Sequence, residues 1–167
     1  MRILITLLFL CFSLASFGQL SKELDKRNGF KDLKLLTDVT TYTGLEYWKD
    51  DKSKADHAFY KAKKGSYELI GDVEIYKITV YTYKNKIFRI EVITPNDEKL
   101  YRSLEKAYGK INSSIAASYS FWDGENLRLN YETIGSKKIR LTYLSKQIKQ
   151  IIARDKKKAV DSLSSEF

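Results

Sequence analysis

His57 is the only histidine in the chain, so any chemistry that needs an imidazole must run through it. It closes the segment Asp50-Asp51-Lys52-Ser53-Lys54-Ala55-Asp56-His57, which offers several oxygen ligands. A calcium loop needs a glycine at its bend and a glutamate at its end. The segment has neither, and its lysines oppose a cation, so no metal site is expected there. A Ser-His-Asp arrangement would also have to use His57, and no Gly-x-Ser-x-Gly elbow presents a serine for it. The eight glycines are scattered at turns, so no phosphate-cradling loop forms. With 21 aspartates and glutamates, two facing carboxylates of the glycosidase kind remain open as an arrangement. The sequence singles out none of these acids by an apolar neighbourhood that would raise its pKa. Asn112-Ser113-Ser114 matches a glycosylation sequon, a match that chance accounts for. No cofactor is implied.

A surface is better marked than a reaction centre. In Glu74–Ile93 (EIYKITVYTYKNKIFRIEVI), Tyr76, Ile78 and Val80 alternate with Lys77, Thr79 and Tyr81. After Lys84-Asn85-Lys86, Phe88, Ile90 and Val92 alternate with Arg89 and Glu91. Period two on both sides of a short polar turn predicts a β-hairpin with one buried face. A second hairpin is predicted where Leu127, Leu129 and Tyr131 precede Gly135-Ser136, with Ile139, Leu141 and Tyr143 after it. The outward face would then carry Lys77, Thr79, Tyr81 and Arg89 from one hairpin, with Arg128, Asn130 and Arg140 from the other. Tyrosine and arginine suit protein contacts. Aromatic and basic residues on a sheet also suit single-stranded nucleic acid. An antiparallel sheet leaves one face wet in any case. Tyr119 and Phe121 are expected in the core, and Trp122, of opposite parity, at the rim.

These hairpins need elements around them. Pro95 breaks the second strand, and Asn96 or Asp97 can cap a helix with Glu98 in its first turn. Leu100, Leu104, Ala107 and Tyr108 give that helix an apolar stripe, and Gly109 ends it. Thr37-Asp38 can cap a short helix running to Gly44. Glu46–His57 reads as a charged loop anchored by Tyr47 and Trp48. Residues 58–63 read as a strand, and Ser145 opens a terminal helix in which Ile148, Ile151 and Ile152 face the domain. The two hairpins align at a constant shift of 51 residues, placing Lys77 on Arg128, Ile78 on Leu129, Thr82 on Thr133, Arg89 on Arg140 and Ile90 on Leu141. That shift fits two side-by-side helix-plus-three-strand units, and it fits equally two unrelated amphipathic hairpins, which align whenever they are placed in phase.

The N-terminus sets the expected compartment. Arg2 precedes an apolar run from Ile3 to Ala15 that has the length of a signal-peptide core and falls short of a membrane span. Ser16 and Gly18 are small, as a signal peptidase requires for a cut before Gln19. Leu10 stands where a lipobox needs a small residue, so Cys11 is not expected to carry lipid. Removing the signal takes away the only cysteine, which excludes disulfides and thiolate chemistry. About 149 residues remain, one ordinary domain that packing alone must hold. Twelve tyrosines and a single proline favour a β-rich fold. The formal charge of +9 is spread along the chain, with Lys156-Lys157-Lys158 as its only run, which suits anionic partners only weakly.

A signal ending Ser-Phe-Gly-Gln resembles those of exported proteins from Bacteroidetes-type bacteria. Ile70-Gly71-Asp72, the hairpin at 74–93, the Tyr108-Gly109-Lys110 helix end and Tyr119-Ser120-Phe121-Trp122 resemble short exported bacterial proteins of no assigned activity. The layout is also similar to the fold group of β-lactamase inhibitory proteins and the SmpA/OmlA lipoproteins. That resemblance implies helices on an antiparallel sheet and no particular site residue. The expected organisation is a signal peptide over 1–18, a polar lead-in over 19–28, one domain over 29–154 and a charged helix end or tail over 155–167. The domain is expected to be α+β, an antiparallel sheet of five to seven strands with helices on one face. The expected function is non-catalytic binding of a protein or glycan in a bacterial envelope, with nucleic acid disfavoured by export. A small hydrolase acting on an envelope polymer through a carboxylate pair is the alternative.

Overall fold

The computed structural model describes residues 22–114 and 119–165. The expected signal peptide, its cleavage point and Cys11 lie outside the described residues. Residues 22–27 form a short helix, α1. Two small hairpins accompany it: β1 (Gly29–Phe30) with β2 (Leu33–Lys34), and β5 (Leu69–Ile70) with β6 (Val73–Glu74). The main sheet has the order β3 (Leu45–Asp50), β4 (His57–Ala62), β7 (Lys77–Tyr83), β8 (Lys86–Pro95), β12 (Lys138–Ser145), β11 (Leu127–Ile134), β10 (Tyr119–Asp123), β9 (Asn112–Ser114). Every neighbouring pair in it is antiparallel. Seven of these strands have five residues or more, as the α+β reading expects, and the three-residue β9 adds an eighth at one edge.

The strands form where period two is strongest. Lys84 and Asn85 take positive φ of 47° and 63°, the two-residue turn geometry that matches strand twist. The region read as a loop, Glu46–His57, is instead β3, a turn over 51–56 and the first residue of β4. In β3 only Leu45 is buried, so this edge strand carries no alternation to read. Asp38 caps no more than a 3-10 turn, Val39–Thr41.

The core lies on one side of the sheet. Ile78, Val80, Ile90, Val92, Trp122, Leu129, Leu141 and Tyr143 line it. Leu24 of α1, Phe30, Leu33, Leu35 and Val39 pack onto it, as do Leu100, Leu104 and Tyr108 of helix α2 (Glu98–Tyr108). Asp97 caps α2 by accepting a hydrogen bond from the Leu100 amide at 2.9 Å, which satisfies one of the orphan donors of the first turn. Trp122, expected at the rim, is 2% exposed and donates Nε1–H to the Gly109 carbonyl at 2.7 Å. The terminal helix α3 (Ile148–Ser164) is longer than its apolar stripe. Its Asp155 accepts from the Tyr83 hydroxyl (3.4 Å) and Lys84 Nζ (3.3 Å) at the β7–β8 end, and residues 156–165 are all exposed. No helix among the described residues is long and apolar enough to cross a membrane.

The 51-residue shift is a property of the register. Lys77 pairs with Ile93, Thr79 with Glu91 and Tyr81 with Arg89. Shifted, these become Arg128 with Leu144, Asn130 with Thr142 and Glu132 with Arg140, all observed pairs. Each half is a four-strand meander rather than a three-strand unit, and the two last strands, β8 and β12, pair at the centre.

Candidate functional site

Cross-strand partners point to the same face of a sheet, so the register assembles the second face row by row. One row runs Phe59, Tyr81, Arg89, Leu144, Arg128, Asp123. The central row runs Lys61, Thr79, Glu91, Thr142, Asn130, Phe121. A third runs Lys77, Ile93, Arg140, Glu132. All seven residues expected on the outward face are therefore on one face, opposite the core. The loop that could have covered it is a hairpin that widens the sheet instead.

The face is a network more than a set of free side chains. Glu91, with a side chain 12% exposed, accepts from the Tyr81 hydroxyl at 2.9 Å and from Arg89 Nη2. Arg140 Nη1 donates to Glu132 Oε2 at 2.9 Å. Arg128 holds Asp123 in a bidentate pair, both bonds 3.0 Å, and Lys146 approaches Asp123 at 2.7 Å. Such pairs are the stronger kind of hydrogen bond. Burial and then the Glu91 charge push the Tyr81 phenol up to about 12. Burial pushes Asp123 up, but bonds from Arg128 and Lys146 outweigh it and hold this carboxyl below the usual range. The bond to Asp123 holds the Arg128 guanidinium charged still more firmly.

Aromatic rings flank the network on both sides. Phe59 meets Tyr81 (4.9 Å between centroids) and Trp48 (6.3 Å), and Tyr81 meets Phe88. His57 packs on Tyr83 and Phe88, with Nδ1 2.7 Å from the Ala55 carbonyl. The sole histidine is thus an aromatic neighbour at the end of the face. Among the described residues no cluster of three or more His, Cys, Asp or Glu could hold a metal. A bulge between Tyr47 and Lys49 brings both Trp48 and Lys49 against Phe59, the re-aiming that bulges perform. Tyr119 and Phe121, expected in the core, lie on this side with Arg128 over the Phe121 ring at 4.4 Å.

Sequence reading took Trp48 as a loop anchor, because β3 carries no periodic signal, put Phe88 with the buried residues, because the β7–β8 bulge at Tyr81/Thr82 shifts parity, and missed Phe59 and Tyr83. It also missed the acids Glu91, Glu132 and Asp123. Their signal was an arginine directly across the strand for Glu132 and Asp123, and one two residues earlier on the same strand for Glu91. Compared with protein-family models, curated proteins and solved structures, the chain matches none of them.

Proposed function

We propose that the protein is a non-catalytic interaction protein of the bacterial cell envelope, and that the uncovered sheet face binds a partner protein. One observation carries this. Among the described residues, the buried side-chain polar atoms without a hydrogen-bond partner are Arg89 Nε, Arg140 Nε and Asn130 Oδ1. All three belong to this face. Buried polar atoms are nearly always bonded, and three exceptions on one face single that face out as the part of the fold whose polar groups are not satisfied from within.

A protein surface fits better than a sugar or a nucleic-acid strand. Those ligands stack on open ring faces, and the rings here are taken. Arg89 lies over Tyr81 at 4.6 Å, Arg128 over Phe121, and Lys49 and Lys77 over Trp48 at 4.5 and 5.0 Å. Tyrosine and arginine at the centre of a partly desolvated patch are the residues that dominate protein interfaces. The exposed parts of the Arg89 and Arg140 guanidinium groups ask for acceptors, so the partner presents carboxylates or backbone carbonyls. The acids in the three rows are each held by an arginine, which leaves no free carboxylate pair there for hydrolysis. Envelope placement rests on the N-terminal apolar run and its small-residue end.

From Gln19 onward the chain has no cysteine, so one introduced cysteine carries one crosslinker. Asn130→Cys should give an adduct with an envelope protein, Lys106→Cys on the exposed side of α2 should not, and replacing Arg89 and Arg140 by Met should abolish it. No adduct from Asn130→Cys, or equal adducts from both positions, removes the reading. A glycan adduct replaces the partner.

A further inference from the structure

We propose that the cavity between α1 and α2, on the core side of the sheet, is a binding site for a small amphiphilic carboxylate. It is independent of the face described above and shares no residue with it.

The cavity measures about 380 Å³, within the size of small-ligand sites. Phe30, Ile70, Leu100 and Leu104 give it an apolar wall. Its other wall is cationic, with Arg27, Lys31 and Lys34. These cations retain unspent donors. Lys34 Nζ donates to the carbonyls of Arg27 and Lys31, both at 2.8 Å, which uses two of its three protons. Among the described residues Lys31 Nζ donates to the Leu69 carbonyl alone. Arg27 Nε binds Glu23 at 3.0 Å, and its guanidinium stands 5.5 Å from the Tyr108 ring centre. Glu23 also lines the cavity, so it is the one acid an incoming carboxylate must share Arg27 with.

Tyr143 adds a hydroxyl-bearing ring to the cavity lining. It lines the cavity while only 3% exposed, and its hydroxyl makes no hydrogen bond among the described residues. Its ring packs on Phe30 at 5.9 Å, so the hydroxyl is held in place by packing. Burial drives its pKa up, which keeps it a donor toward the cavity it lines. A carboxylate would accept from Tyr143 and meet the cations, while a short hydrocarbon chain lies on Leu100 and Leu104. Charge alone would not need the apolar wall, and hydrocarbon alone would not need three cations.

Titration of the purified protein with octanoate, 1-octanol and inorganic phosphate, followed by calorimetry, tests this. Octanoate should bind, with 1-octanol about tenfold weaker and phosphate giving no heat. Ser103, at the exposed mouth, allows the cavity to be filled without touching the core. Ser103→Trp should weaken octanoate about tenfold or more with the unfolding midpoint unchanged. Tyr143→Phe and Arg27→Met should each weaken it about threefold or more. The proposal is overturned if octanoate gives no heat, if Ser103→Trp binds it as the parent does, or if phosphate or 1-octanol binds equally well. The crosslinking result on the opposite face is unaffected by any of these outcomes.

Discussion

Glu91 and Thr142 stand opposite each other across the β8–β12 ladder, and each is also the other's counterpart under the 51-residue shift. A local two-fold axis therefore passes between them, at the centre of the sheet. The backbone obeys the symmetry and the chemistry breaks it. Arg89 turns to Glu91, whereas its counterpart Arg140 turns to Glu132, the counterpart of Tyr81. Two arginines in equivalent places thus answer to different acids.

That asymmetry predicts unequal costs. Glu91 is 12% exposed and Glu132 is 43% exposed. Removing Arg89 strands a carboxylate that water barely reaches, while Glu132 can recover its hydration. Arg89→Met should destabilise by about 2–3 kcal/mol and Arg140→Met by about 1 kcal/mol or less, read from denaturant midpoints at equal slope. Equal losses would show that Glu91 is better hydrated than its burial implies.

Alkali should act through the same network. The Tyr81 phenol ionises at about 12 in the fold and near 10 when unfolded. The unfolded chain loses that proton first, so the folded state holds more protons between these values. Stability from this group is intact below pH 10 and falls as pH rises toward 12. Tyr81→Phe should flatten that part of the stability curve, and spectroscopic titration should show one late tyrosinate fewer. At the acid end Asp123, held low by Arg128 and Lys146, contributes stability that disappears as pH falls through its folded pKa. Asp123→Asn should flatten that limb. An unchanged alkaline slope in Tyr81→Phe would place the late ionisation elsewhere.

Asp25 fastens α1 to the far side of the fold. Its carboxylate accepts from the amides of Glu125 (2.6 Å), Asn126 (2.8 Å) and Leu127 (3.2 Å) in the β10–β11 turn. Gly124 leaves the room for this, since a Cβ there would lie 2.5 Å from Asp25 Oδ1. Asp25→Ala should cost about 1.5–3 kcal/mol, the worth of charge-assisted bonds. Gly124→Ala should also be costly in the parent and should cost measurably less once Asp25 is Ala, a coupling of about 0.5 kcal/mol or more in a double-mutant cycle. Additive losses would mean the turn, and not the Asp25 contact, sets the glycine requirement.

How much of this was legible in the sequence follows from where periodicity exists. Ile78, Val80, Ile90, Val92, Leu129 and Leu141 alternate with polar neighbours, so both central hairpins, their register shift and the face of Arg89, Arg128 and Arg140 could be read directly. β3 could not, because an edge strand buries almost nothing and Lys49 and Asp50 look like loop residues. The parity of Tyr119, Phe121 and Trp122 was readable and its direction was not. Which side is core depends on α2, whose Tyr108 packs against Trp122 at 6.2 Å. The cavity under α1 was illegible for a different reason. It is closed by residues far apart in the chain, and no local pattern links Arg27, Ser103 and Tyr143.

The two tryptophans report the two sides of the sheet separately. Trp122 is in the core with its N–H on the carbonyl of Gly109, the residue that ends α2. Trp48 is 41% exposed beneath the ammonium groups of Lys49 and Lys77. Iodide, an anion, should therefore quench Trp48 efficiently and leave Trp122 dark to it, with quenching of Trp48 reduced by salt as the lysines are screened. Trp48→Phe should remove the quenched component and cost little stability. Trp122→Phe should leave the quenched component intact and destabilise by about 2–3 kcal/mol, because it opens a void and strips the Gly109 carbonyl of its donor in one step. A single quenching constant shared by both tryptophans would place Trp122 at the surface and would undo the assignment of the core to the α2 side.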